Sequence, residues 1–165
     1  LNGPYRSNDD YDEFNAYGLS KRLGEGIIRH TGVVIRTSII GLESSEKKAK
    51  GLLPWFLACA VDNIHGWTES IWSGVTTLEL SNVILSNIVR LTNTTGVINL
   101  ASDPISKYSL LNLINEIFCS SRKTVIKTEC KIANKVLLPT QEFHVKTSHK
   151  DMLLNLRNFP NTHTQ

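Results

Sequence analysis

A chain of 165 residues that is 41% apolar and 20% charged can bury one core of ordinary domain size, which excludes global disorder. Its net charge of +3 is spread along the chain, and the densest basic run, Glu46-Lys47-Lys48-Ala49-Lys50, is short and mixed in sign, so no nucleic-acid partner is expected. There is no apolar run of the ~18 residues a membrane span needs and no leader pattern. Three cysteines (Cys59, Cys119, Cys130) and five dispersed histidines carry no metal-ligand spacing, which points to reduced thiols, no metal site and a cytoplasmic location.

The chain opens Leu1-Asn2-Gly3-Pro4-Tyr5 in loop chemistry without an initiator methionine, as a fragment would. Residues 1–13 read as a loop, and its acidic end, Asp9-Asp10-Tyr11-Asp12-Glu13, suits the positive end of a following helix. That helix is expected over roughly 14–30, with Phe14, Tyr17, Lys21, Gly24, Glu25 and Ile28 on one stripe. Gly18 and Gly24 each cost about 1 kcal/mol relative to alanine, which suggests close packing against a neighbouring element or ligand, with a tolerated defect as the alternative. Tyr17 and Lys21 lie one turn apart, so a phenol and an ammonium share a face. A cation beside a tyrosine favours the phenolate and makes the phenol a usable proton donor, although the bare spacing occurs by chance in many chains.

Thr31-Gly32 ends the helix, and Val33 to Ile40 reads as a strand of the buried, parallel kind. Helix followed by buried strand is half of a βαβ unit, and ligands of open α/β sheets bind at the carboxyl edge, here Arg36-Thr37-Ser38. An ion pair at a strand end is an equal reading for Arg36, and turn chemistry a somewhat stronger one for Thr37 and Ser38. A polar loop covers 41–50, and a short apolar helix covers 52–61 with Pro54 near its start. Residues 62–74 read as a loop carrying Trp67, Glu69 and Trp72, whose rings suit stacking on a sugar or base or serve as packing anchors. Thr76 to Glu79 is a capping box that opens a helix to about Leu91. A buried strand over 96–101, a turn at Asp103-Pro104, a helix over 107–119 capped by Ser106 and a weak strand over 124–128 follow. Residues 131–147 show no clear pattern, Ser148 and Asp151 open a last helix over 149–157, and 158–165 form a frayed tail.

Several of these runs together resemble one family, the extended short-chain dehydrogenase/reductases, and within it the dTDP-4-dehydrorhamnose reductase-like, sugar-nucleotide-binding branch. They are Gly3-Pro4-Tyr5, Tyr17 to Glu25, Ile35 to Gly41, Ile71 to Leu80 and Ser102 to Tyr108, in matching order over residues 3–118. The resemblance implies an α/β fold: the C-terminal part of a Rossmann-type parallel sheet with a small α/β substrate-binding lobe. Residues 1–40 would hold the last Rossmann elements with the tyrosine helix, and 41–165 the lobe interleaved with the rest. It implies reduction of a nucleotide-linked 4-keto-6-deoxy sugar by NADP or NAD in its reduced form. Tyr17 would protonate the carbonyl oxygen, and Lys21 would lower the tyrosine pKa and hold the nicotinamide ribose. Arg36, Thr37 and Ser38 would lie near the nicotinamide, and Trp67, Glu69 and Trp72 near the nucleotide-sugar substrate. A homodimer is compatible with it.

The departures are as informative. No Gly-rich strand-to-helix turn is present to cradle phosphates, since Gly24-Glu25-Gly26 lies inside the tyrosine helix. Only sixteen residues precede Tyr17, too few for the family's substrate-holding serine or threonine, and His149 stands where a tryptophan is usual. The cofactor-binding half is therefore expected to be absent from this chain, which by itself would bind the cofactor poorly. A non-catalytic, reductase-like binding or regulatory subunit is the competing expectation.

Overall fold

The computed structural model describes residues 3–42, 51–119, 122–129 and 133–159. The first half holds α1 (Ala16–Ile28), β1 (Val33–Arg36), β2 (Ile39–Ile40), α2 (Leu52–Ala58), β3 (Asn63–Trp67), β4 (Ser70–Trp72) and β5 (Val75–Thr76). Then come α3 (Thr77–Ser86), α4 (Ile88–Thr92), β6 (Gly96–Asn99), β7 (Ala101–Ser102), β8 (Ile105–Ser106) and α5 (Lys107–Cys119). The chain closes with β9 (Thr124–Thr128), β10 (Ala133–Asn134), a 3-10 turn at Gln141–Phe143, β11 (His144–Val145) and α6 (His149–Asn158).

Local chemistry sets most boundaries. Asn15 caps α1 by accepting from the Gly18 amide at 2.9 Å, so the helix starts two residues later than the acidic run suggests. Thr76 caps α3 and Ser148 caps α6 in the same way, and Ser106 accepts from the Ser109 amide at the start of α5. The helix expected to reach Leu91 breaks at Asn87, whose side chain donates to the Val83 carbonyl at 2.9 Å and competes with the helix ladder.

The strand expected over 33–40 is two strands. β1 pairs in parallel with β6, from Val33 opposite Gly96 to Arg36 opposite Asn99. After Thr37 and Ser38 the ladder changes partner and β2 pairs with β5. The loop expected over 62–74 contains β3, parallel to β9, and β4, which pairs in parallel with β10 and antiparallel with β8. β3 alternates cleanly, with Ile64 and Gly66 inward, but an inward glycine hides the alternation from a hydrophobicity reading. An added Cβ at Gly66 would come within 2.9 Å of Tyr108 Cα, so only glycine fits there. β7 pairs with β11.

Among the described residues two apolar clusters make the core. One joins α2, β3, α5 and α6 through Leu53, Phe56, Ile64, Leu110, Ile114 and Leu153. The other joins β5, β6, β11 and α6 through Val75, Ile98, Leu100, Val145 and Met152, with Val33 and Ile35 of β1 packed against it. Strand alternation turns Val34 and Arg36 to the opposite face, where Arg36 meets α1. Of the stripe expected on α1 only Glu25 is buried, and Leu23 and Ile27 are exposed.

Candidate functional site

Tyr17, Lys21 and Glu25 follow one another at four-residue steps along α1 and line a cleft of about 270 Å3. Its other wall is the segment 5–13, and Arg36 lies at its base. The Lys21 ammonium stands 5.3 Å from the centroid of the Tyr17 ring, and the phenol is 70% exposed. The pair is therefore brought together, and the tyrosine is accessible to a ligand.

Arg36 and Glu25 form a bidentate pair, with Arg36 Nε donating to Glu25 Oε2 at 2.8 Å and Nη2 to Oε1 at 2.7 Å. Arg36 Nη1 also donates to the Ser7 carbonyl at 3.2 Å, and the Tyr11 hydroxyl donates to Glu25 Oε1. Burial by itself raises the Glu25 carboxyl, but the hydrogen bonds from Arg36 and Tyr11 and the charges of Arg36 and Arg29 outweigh it, holding the group below the usual 4.5. The Glu25 hydrogen bonds raise Arg36 in turn, against its burial. The guanidinium thus holds the ion pair foreseen at this strand end.

Thr37 and Ser38 occupy the carboxyl edge of β1. Thr37 Oγ1 is buried with no hydrogen-bond partner among the described residues. Ser38 Oγ accepts from Trp72 Nε1 at 2.7 Å, and the Ser38 carbonyl accepts from the Val75 amide at 2.9 Å. The Trp72 ring also rests against His149, centroids 5.9 Å apart. Trp72 is thus placed beside the predicted cofactor edge.

The other two substrate candidates lie elsewhere. Trp67 borders a different cavity of about 680 Å3, shaped by α2, β3 and the start of α5, and the Lys107 ammonium lies 4.8 Å from its ring centroid. Glu69 is exposed, and its carbonyl accepts from the Ala133 amide at 3.2 Å. Sequence reasoning missed Tyr11, whose partners Arg22, Glu25 and Arg36 are 11 residues away or more, and left Glu25 without a role.

His149 also meets Ser102. The Ser102 hydroxyl has one proton, and its 2.6 Å contact to the Gly74 carbonyl takes it. His149 Nε2, 3.1 Å from Ser102 Oγ, is then the donor, which fixes the neutral tautomer. Burial holds the His149 pKa below 6.5, against the nearby Asp103 charge.

Among the described residues no group of three His, Cys, Asp or Glu side chains could hold a metal ion, and no helix is long and apolar enough to cross a membrane. Cys59 and Cys119 are free thiols, half-buried at the edge of the first core cluster, while Cys130 and the 46–50 basic run lie outside the described residues.

This α/β fold with parallel strand pairs is the one shared by Rossmann-type short-chain dehydrogenase/reductases of sugar-nucleotide metabolism. The chain superposes on dTDP-4-dehydrorhamnose reductase from Bacillus anthracis, solved with NADP, with a TM-score of 0.71 and 15% identity, over 93% of this chain and 58% of that one. The reductase from Clostridium acetobutylicum matches with a TM-score of 0.71 and 17% identity, over 95% and 60%. The dTDP-glucose 4,6-dehydratase of Bacillus anthracis, solved with NAD, gives 0.68 and 12%, over 94% and 55%. At these identities the likeness is one of fold, and the chain spans a little over half the length of these structures. No family model and no curated protein matches it.

Proposed function

We propose that this chain supplies the acid–base half of an NAD(P)H-dependent reductase acting on a nucleotide-linked 4-keto-6-deoxy sugar. The observation that carries the reading is Tyr17 and Lys21 side by side on an open cleft, in a fold shared with dTDP-4-dehydrorhamnose reductases. A bound nicotinamide would supply hydride to the sugar carbonyl carbon. As negative charge develops on the carbonyl oxygen, the Tyr17 hydroxyl gives up its proton to it, and the Lys21 cation stabilises the phenolate left behind. Lys21 also offers donors to the cofactor ribose. The unpartnered Thr37 hydroxyl at the carboxyl edge of β1 fits a contact with the cofactor, and Ser38 and Trp72 line the same edge. Arg36 supports this edge through Glu25. Trp67 at the end of β3, with Glu69 in the turn that follows, is proposed to meet the more distant parts of the nucleotide sugar.

The phosphates of the dinucleotide have no cradle in this sequence, so a cofactor half supplied from outside residues 1–165 is part of the proposal. So are a cytoplasmic location and pairing of two copies. The isolated chain should bind NADPH far more weakly than low micromolar. In the polypeptide that also carries the cradle, Tyr17→Phe should lower kcat by a factor of about 100 or more with ligand affinity nearly unchanged. The missing cradle also leaves room for a second reading, a non-catalytic sugar-nucleotide-binding regulatory subunit. That reading prevails if the complete protein shows no turnover and Tyr17→Phe changes partner binding instead.

A further inference from the structure

The proposed chemistry does not use one wall of the Tyr17 cleft. Residues 5–13 cross it as a strap fastened at both ends. At one end the Tyr5 amide donates to the Val136 carbonyl at 2.8 Å, the Tyr5 carbonyl accepts from the Leu138 amide at 2.8 Å, and Asn99 Nδ2 reaches that same carbonyl at 3.0 Å. At the other end the strap lies directly on α1, where a Cβ at Gly18 would come within 2.5 Å of the Glu13 carbonyl oxygen.

Between these ends Tyr11 meets the body of the protein, while the Tyr5 hydroxyl donates to Asp12 within the strap. The Tyr11 hydroxyl donates to Glu25, and the guanidinium carbons of Arg22 and Arg36 lie 4.9 and 5.2 Å from its ring centroid. Arg36 adds its bond to the Ser7 carbonyl, so one side chain grips the strap at two points and Glu25 at two more. Glu25 is 8% exposed although it sits on a helix whose other residues are all more open. A carboxylate so buried needs its partners, and two of the three groups that bond it or that Arg36 holds belong to the strap.

We propose that Tyr11, Glu25 and Arg36 form a latch that holds the strap as one wall of the Tyr17–Lys21 cleft, and that breaking it releases residues 6–13 as a unit while the rest of the fold persists. Glu25 and Arg36 are positioning residues in this device, since they act on the cleft through the strap. The latch depends on the reading of that cleft as a reactive site for its consequence only, because its geometry is independent of any ligand.

Hydrogen exchange on the chain as it stands tests it. The readouts are the Arg6 and Asp9 amides, which bond only within the strap, against the Tyr5 amide as an anchored reference. Tyr11→Phe and Glu25→Gln should each accelerate exchange within residues 6–13 by about tenfold, the scale of one charge-assisted hydrogen bond, and leave Tyr5 unchanged. Unchanged exchange in either variant overturns the latch, and so does an equal acceleration at Tyr5, which would mean that the strap has no opening of its own. A pH profile separates the latch from plain packing. Glu25 is faced by Arg36 from β1, by Arg29 at the C-cap of its own helix and by Tyr11 from the strap, and Arg22, over the Tyr11 ring, and Lys21 line the same cleft. The strap carboxylates Asp9, Asp10, Asp12 and Glu13 share the cleft. Strap protection, corrected for intrinsic exchange, should fall below pH 4.5 in the native chain and lose most of that dependence in Glu25→Gln. Equal acid dependence in both assigns the effect to the strap carboxylates and overturns the role of Glu25. Loss of turnover in Tyr17 variants with normal latch behaviour, or the reverse, separates failure of one idea from failure of the other.

Discussion

Trp72 Nε1 donates to Ser38 Oγ at 2.7 Å across 34 residues of sequence, joining a residue expected near the substrate to one expected near the cofactor. The bond also holds β4 against the point where β1 hands its ladder to β2. Trp72→Phe and Ser38→Ala should each cost about 1 kcal/mol of stability, and the double variant clearly less than the sum. Urea denaturation of the four proteins gives the coupling, and strict additivity would mean that the bond contributes nothing in solution.

Three glycines make a graded test of packing. A Cβ at Gly74 would come within 2.1 Å of the Ser38 carbonyl oxygen, a backbone atom that cannot step aside, so Gly74→Ala should cost roughly 3 kcal/mol or more. Gly18→Ala meets the Glu13 backbone at 2.5 Å and should destabilise in a similar way, with the loss centred on the strap. Gly24→Ala meets nothing within 4 Å and should stabilise α1 by about 0.5–1 kcal/mol. Thermal melts of the three order them.

Acid should weaken the fold in two separable steps. His149 has its pKa lowered by burial, so the unfolded chain binds its proton first, and the contribution is present above pH 6.5 and lost as pH falls through the folded value. Glu25, with a folded pKa below 4.5, keeps its contribution down to about that pH and loses it further down. Stability measured against pH should therefore bend first below 6.5 and again below 4.5. His149→Gln should flatten the first bend and Glu25→Gln the second.

What could be read from the sequence was what a few neighbouring residues decide. α5 and α6 follow their apolar period and their serine caps, and Tyr17 and Lys21 needed only a four-residue spacing. β3 escaped because Gly66 fills an inward position with no apolar side chain, and the break at Asn87 because one side-chain hydrogen bond outweighs a continuous apolar pattern. Close packing was rightly expected at Gly18 but not found at Gly24, since propensity cost alone does not say which glycine has a neighbour. The surroundings of the site were less legible still. Glu25 finds Arg36 at a separation of 11 residues, and Gly3 finds Asn134 at 131, and no local pattern encodes a partner at such distance.

That last pairing sets an order of events during synthesis. A ribosome emits α1 with Tyr17 and Lys21 well before the anchors of the strap that walls their cleft, since those anchors are residues 134–138. At about 5–20 residues per second those anchors emerge many seconds later. Until then the nascent chain exposes the Tyr17–Lys21 helix without the strap fastened beside it as a wall.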